Sequence, residues 1–143
     1  MDEHTIRLLK ECDSGCKMAI ESIDRIQDYV ENAELQKVIM EYKKRHEELE
    51  ARSTRLLQNN GESEKHPSPV AAAMSRLTTE MKMMMRDDST QIAKILMNGC
   101  NMGIQSIGEY RHKYNDAQEV ARSLAGELVK VEEKFLRDLE KFL

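Results

Sequence analysis

Apolar residues recur along the chain at steps of three and four in five stretches, the spacing that lines one face of an α-helix. The first stretch runs from about Glu3 to Glu31, with a seam of Leu9, Cys12, Cys16, Ala19, Ile23, Ile26 and Val30. The second, about Ala33 to Gln58, carries Leu35, Ile39, Tyr42, His46, Leu49, Ser53 and Leu56. Only Asn32 and its neighbours separate the two, which predicts an antiparallel hairpin. Asn59 to Pro69 holds both prolines and reads as a loop. A third, shorter helix is predicted with Ser68 as its N-cap and Pro69 at its first position, running to about Met85 with Val70, Met74, Leu77, Met81 and Met84 on one face. Asp88 with Gln91, and Asp116 with Glu119, have capping-box spacing. They predict a fourth helix from about Ser89 to Tyr114, with Leu96, Cys100, Gly103, Ile107, Tyr110 and Tyr114 on its seam. The fifth, about Ala117 to Leu143, has Ala121, Ala125, Leu128, Glu132, Phe135, Leu139 and Phe142.

An internal repeat ties these helices together. GCKMAIESI from Gly15 to Ile23 matches GCNMGIQSI from Gly99 to Ile107 at six of nine positions. A similar shift lays His46, Leu49 and Leu56 onto Glu132, Phe135 and Phe142. The chain therefore reads as one all-α domain of two duplicated hairpins, 1–58 and 88–143, joined by a crossover over 59–87 that contains the short helix. Hairpin, long connection and hairpin is the order found in ferritin-like four-helix bundles, and duplication predicts a pseudo-twofold axis across the bundle.

Composition agrees with this reading. Two Pro and six Gly in 143 residues supply too few turns for many short strands, and 40% hydrophobic residues suit one core. No stretch approaches the roughly 20 apolar residues of a membrane helix, and the start lacks the cationic and apolar regions of a signal peptide, so a cytoplasmic protein without a membrane partner is expected. The net charge is −4, with both signs mixed along the chain, which argues against nucleic acid as a partner. Off-seam apolar residues, among them Met18, Ile20 and Ile104, are enough to support a homodimer.

Three cysteines in such a chain suit reduced thiols better than a disulfide framework. Their placement matters, because Cys16, His46, Cys100 and Glu132 all fall near the midpoints of the four long helices, on the inward seam. Two thiolates, an imidazole and a carboxylate form a candidate metal site, with Cys12 one turn away as an extra ligand; Zn or Fe suits this set, Cu suits it less well, and haem stays open. The same residues also read as a buried His–Glu pair beside two inert core cysteines, or as a Cys16/Cys100 thiol switch if their Cα atoms lie within about 7 Å. Gly15, Gly99 and Gly103 leave room there for backbones to approach or for a ligand. Glu109 and His112 spell Glu-x-x-His near the end of the fourth helix, and the Met81–Met85 run offers thioethers, but neither forms a complete site. Phosphate loops and Ser-His-Asp arrangements are absent from the sequence, which assigns no catalytic residue.

The repeated Gly15/Gly99 segments, each with small and apolar residues following the glycine, make the whole chain resemble the ferritin-like superfamily. It is similar in particular to an uncharacterised bacterial group of ferritin-like four-helix bundles with a short helix in the crossover. The resemblance implies the fold. Relatives with iron chemistry use carboxylates and Glu-x-x-His pairs, where this sequence has Cys16, His46, Cys100 and Glu132. The reading that follows is a metal-binding protein of redox or stress-related role, against the alternative of a non-catalytic structural or interaction bundle.

Overall fold

The structure, a computed structural model, describes residues 1–63, 77–82 and 88–143. Among these the chain is all helical, with α1 at Glu3–Gln27, α2 at Ala33–Asn59, the helical residues 77–82 as α3, α4 at Ser89–Lys113 and α5 at Glu119–Leu139, followed by a 3-10 turn at Glu140–Phe142. Leu77 and Met81 of α3 are buried, whereas Ser68, Pro69, Val70, Met74, Met84 and most of the crossover expected over 59–87 lie outside the described residues.

Local chemistry explains most of the helix ends. Asp2 accepts from Thr5 N–H at 2.8 Å, Asn32 from Leu35 N–H at 2.9 Å and Asp88 from Gln91 N–H at 3.0 Å, each filling one orphan donor of a first turn. Gly61, at φ 72°, ends α2: its N–H reaches the Gln58 carbonyl at 3.0 Å and Glu62 N–H reaches that of Leu57 at 2.9 Å, a Schellman closure that needs a left-handed residue. Arg111, His112 and Lys113 place basic side chains at the negative end of α4.

The fifth helix departs from expectation. It starts at Glu119, two residues later than the spacing suggests, and the Asp116/Glu119 capping box does not form. Gln118 N–H instead donates to the Thr5 hydroxyl of α1 at 2.8 Å, and Asp116 N–H donates to His4 Nδ1 at 3.3 Å. A contact from α1 has replaced the local cap.

Cross-helix pairs fix the directions. Asp24, Asp13 and Lys10 meet Lys43 at 2.6 Å, Ser53 at 3.0 Å and Glu62 at 3.3 Å, so α1 and α2 are antiparallel. Glu34, Tyr42 and Arg52 meet Lys141 at 2.6 Å, Asp138 at 2.5 Å and Glu127 at 2.7 Å, so α2 and α5 are antiparallel as well. α4 packs on α5 and on α1. The apolar interior forms two clusters: Ile23, Ile26, Leu35, Ile39, Ile92 and Leu139 belong to one, while Leu8, Leu9, Leu57, Ala121 and Leu124 belong to the other. His46 and Glu132 belong to neither cluster and lie in the layer between them.

Candidate functional site

His46 and Glu132, on α2 and α5, face each other directly in this layer through His46 Nε2 and a Glu132 carboxylate oxygen. Their side chains are 0% and 8% exposed. The other ring nitrogen, Nδ1, donates to the Tyr42 carbonyl one turn earlier at 2.7 Å. A carbonyl can only accept, so Nδ1 carries a hydrogen, and Nε2 shares a further proton with the carboxylate. Burial works against the imidazolium, but the hydrogen bond and negative charge of Glu132, helped by the Tyr42 carbonyl, outweigh it and raise the His46 pKa. The pair is therefore a buried imidazolium–carboxylate contact linking α2 to α5.

Aromatic packing holds it in place. Phe135, one turn beyond Glu132, stacks on Tyr42 with centroids 4.5 Å apart and turns its ring against His46 at 6.5 Å. The Tyr42 hydroxyl donates to Asp138 at 2.5 Å; burial and this carboxylate both push the phenol pKa up. On the far side, a Cβ built on Gly103 would lie 3.3 Å from Glu132 Oε2, so glycine gives the carboxylate its space. At Gly99 a Cβ would meet nothing within 4 Å, and at Gly15 only Ile107 and Leu128 at 3.8 Å. Of the three glycines expected to make room, Gly103 is the one that borders the pair.

All three cysteines are buried free thiols. Burial and the charge of the neighbouring Glu132 carboxylate raise the Cys100 pKa well above the ordinary value. Cys16 also feels Glu132, after burial and Cys12, and is likewise held protonated. Cys12 responds to Glu11, Arg111 and Asp13 rather than to Glu132, and burial pushes it up to about 12. Thiols in this state are poor nucleophiles. Among the described residues, no three His, Cys, Asp or Glu side chains are placed to hold a metal ion together. Glu109 and His112 point away from the layer and are exposed, while His4 packs edge-on against Tyr114 at 5.7 Å.

A second polar cluster was not anticipated from the sequence. Asp13 is fully buried and accepts from Ser53 at 3.0 Å, Thr54 at 2.8 Å and Lys17 at 2.5 Å; Lys17 also reaches Glu50 at 3.4 Å. The only sequence signal is the four-residue spacing of Asp13 and Lys17, which is common on exposed helix faces. Two open surface grooves run along α2 (Glu47, Glu50, Thr54 and Arg55) and between α2 and α5 (Arg45, Arg52, Glu127 and Lys134), and neither is lined by His46, Cys16 or Cys100. No helix among the described residues is long and apolar enough to cross a membrane. No protein-family model, curated protein or solved structure matches the chain.

Proposed function

We propose that the chain is a non-catalytic helical bundle of ferritin-like connectivity, acting as a structural or interaction protein, in which the His46–Glu132 layer sets the register of α2 against α5. The observation that carries this reading is that the ligand-type residues satisfy one another. Both ring nitrogens of His46 have partners, one of them Glu132, and burial keeps the Cys100 and Cys16 thiols protonated. The contacts of α1 with α4 and of α2 with α5, together with the Gly15/Gly99 repeat, support two duplicated hairpins joined by a crossover. A single polar pair between two apolar halves penalises any sliding of one helix by a turn, because the slide would bury each charge alone.

A metal-binding protein of redox or stress-related role is the second reading. It is favoured by the occurrence of Cys16, His46, Cys100 and Glu132 around one layer, with Cys12 one turn away. Zn or Fe there would have to part His46 from Glu132 and displace the protons of the thiols. Titration with Co(II) or Zn(II), read by thiolate-to-metal absorbance and by bound metal per chain, separates the two. The structural reading expects less than a tenth of an equivalent bound after desalting. One equivalent that disappears in Cys100→Ser and His46→Gln would overturn it in favour of the metal site.

A further inference from the structure

α4 differs from the other long helices in where its charges lie. From Ser89 to Gly108 its sole charged residue is Lys94, and the next is Glu109. The matching repeat segment in α1 has Lys17 and Glu21 where α4 has Asn101 and Gln105. Lys17 is engaged with Asp13 and Glu50, and Glu21 with Arg25, whereas Asn101 and Gln105 are exposed. Lys94, Asn98, Asn101, Gln105 and Glu109 recur at steps of three and four, Met102 lies beside Asn101, and all are exposed, with Met102 at 49%. The result is an amide and methionine strip with one cation at its N-terminal end and one anion at its C-terminal end. In a chain with 34% charged residues, depletion of charge together with an exposed methionine is the compositional mark of an interface core.

The strip is complementary to itself. When two copies of α4 lie antiparallel about a twofold axis between Asn101 and Met102, Lys94 of each copy falls opposite Glu109 of the other. Asn98 then falls opposite Gln105, and Asn101 opposite Met102. A twofold axis perpendicular to the helices pairs them antiparallel in an isologous contact, in which every residue is used twice. Parallel pairing would instead set Lys94 against Lys94 and Glu109 against Glu109. Among the described residues, Lys94 has no ion-pair partner and Glu109 accepts only a long 3.4 Å contact from Gln105 in its own helix.

We propose that the exposed face of α4 docks a second copy of this chain, antiparallel, with reciprocal Lys94–Glu109 pairs flanking an uncharged centre at Asn98, Asn101, Met102 and Gln105. One helix face per copy puts the contact at the small end of protein interfaces, so dimerisation in the micromolar range is expected. The inference does not depend on whether the His46 layer takes a metal.

Sedimentation equilibrium of the full chain from about 1 to 300 µM is the test. The parent chain should pass from monomer to dimer over that range. Lys94→Glu and Glu109→Lys each place like charges opposite each other twice in the dimer, and each should weaken association roughly tenfold. An equimolar mixture of the two variants should recover association, because the carboxylate introduced at position 94 of one then meets the ammonium introduced at position 109 of the other. Met102→Lys should dissociate the parent. All these positions are exposed, and unchanged far-ultraviolet circular dichroism keeps folding separate from association. A parent chain that remains monomeric at 300 µM overturns the proposal. If its Met102 is also protected from peroxide, the face belongs to another segment of the same chain. A mixture no stronger than either variant alone overturns the antiparallel register.

Discussion

Single residues carry the largest energies in this molecule, because charge is buried at two places. Removing one member of a buried ion pair leaves the other uncompensated, at a cost of about 3–5 kcal/mol. Glu132→Leu and His46→Leu should each lower stability in urea denaturation by that order. The double variant His46→Leu/Glu132→Met should recover most of the loss, since replacing both charges with apolar groups is often neutral. Near-equal single and double losses would show that shape, rather than charge, matters in the layer. The pair also sets a pH dependence. His46 has a folded-state pKa above its unfolded value of about 6.5, so its stabilisation is complete below that pH and declines as pH rises through the folded value. The urea midpoint should fall on the alkaline side for the parent chain and remain flatter in the double variant. Asp13→Ala removes the acceptor shared by Ser53, Thr54 and Lys17, taking from the mostly buried Lys17 ammonium its nearest carboxylate, and a loss of about 2–3 kcal/mol is expected in the same assay.

At the scale of the helix, glycine separates two effects. Gly99 and Gly103 are both interior to α4, where alanine is preferred by about 1 kcal/mol on backbone grounds. Gly99→Ala adds a methyl to open space and should raise the thermal midpoint. Gly103→Ala adds one 3.3 Å from the carboxylate that faces His46, and should lower it. Equal shifts in the same direction would mean that Glu132 moves freely. The α2 seam was legible over most of its length: Leu35, Ile39, Tyr42, His46, Leu49 and Ser53 are all buried, because a buried helix face must repeat near 3.6 residues whatever it packs against, but at its end Leu57 is buried where Leu56 was expected. The start of α5 was not legible, because Thr5 and His4 come from more than a hundred positions away and supply what Asp116 would have supplied locally. Asp13 was missed for the same reason. An aspartate next to the seam of α1 looks solvated until Ser53 and Thr54 of α2 cover it. The His46–Glu132 pairing could be read because the repeat put both residues at the same seam position; the thiols around it could be placed by level, but their protonation depends on burial that spacing does not specify.

For the molecule as a whole, the two apolar clusters and the polar layer between them bury all three thiols, and reaching them requires the helices to separate. Modification by a disulfide reagent should therefore be slow in native buffer and fast for three thiols in guanidinium, with the native rate following the unfolding equilibrium. Rapid modification of one thiol under native conditions would point to local opening of a helix rather than global unfolding. The stack of Tyr42 on Phe135 gives the same transition an optical signal. With no tryptophan in the chain, near-ultraviolet dichroism comes from four tyrosines, two phenylalanines and weaker chromophores. Of the tyrosines, Tyr42 is locked between a phenyl ring and a carboxylate within a turn of His46. Its asymmetric surroundings make it a built-in chromophore for the polar layer, and its phenol should ionise above the ordinary tyrosine range in an absorbance titration, so the state of the layer can be followed by light without attaching a label.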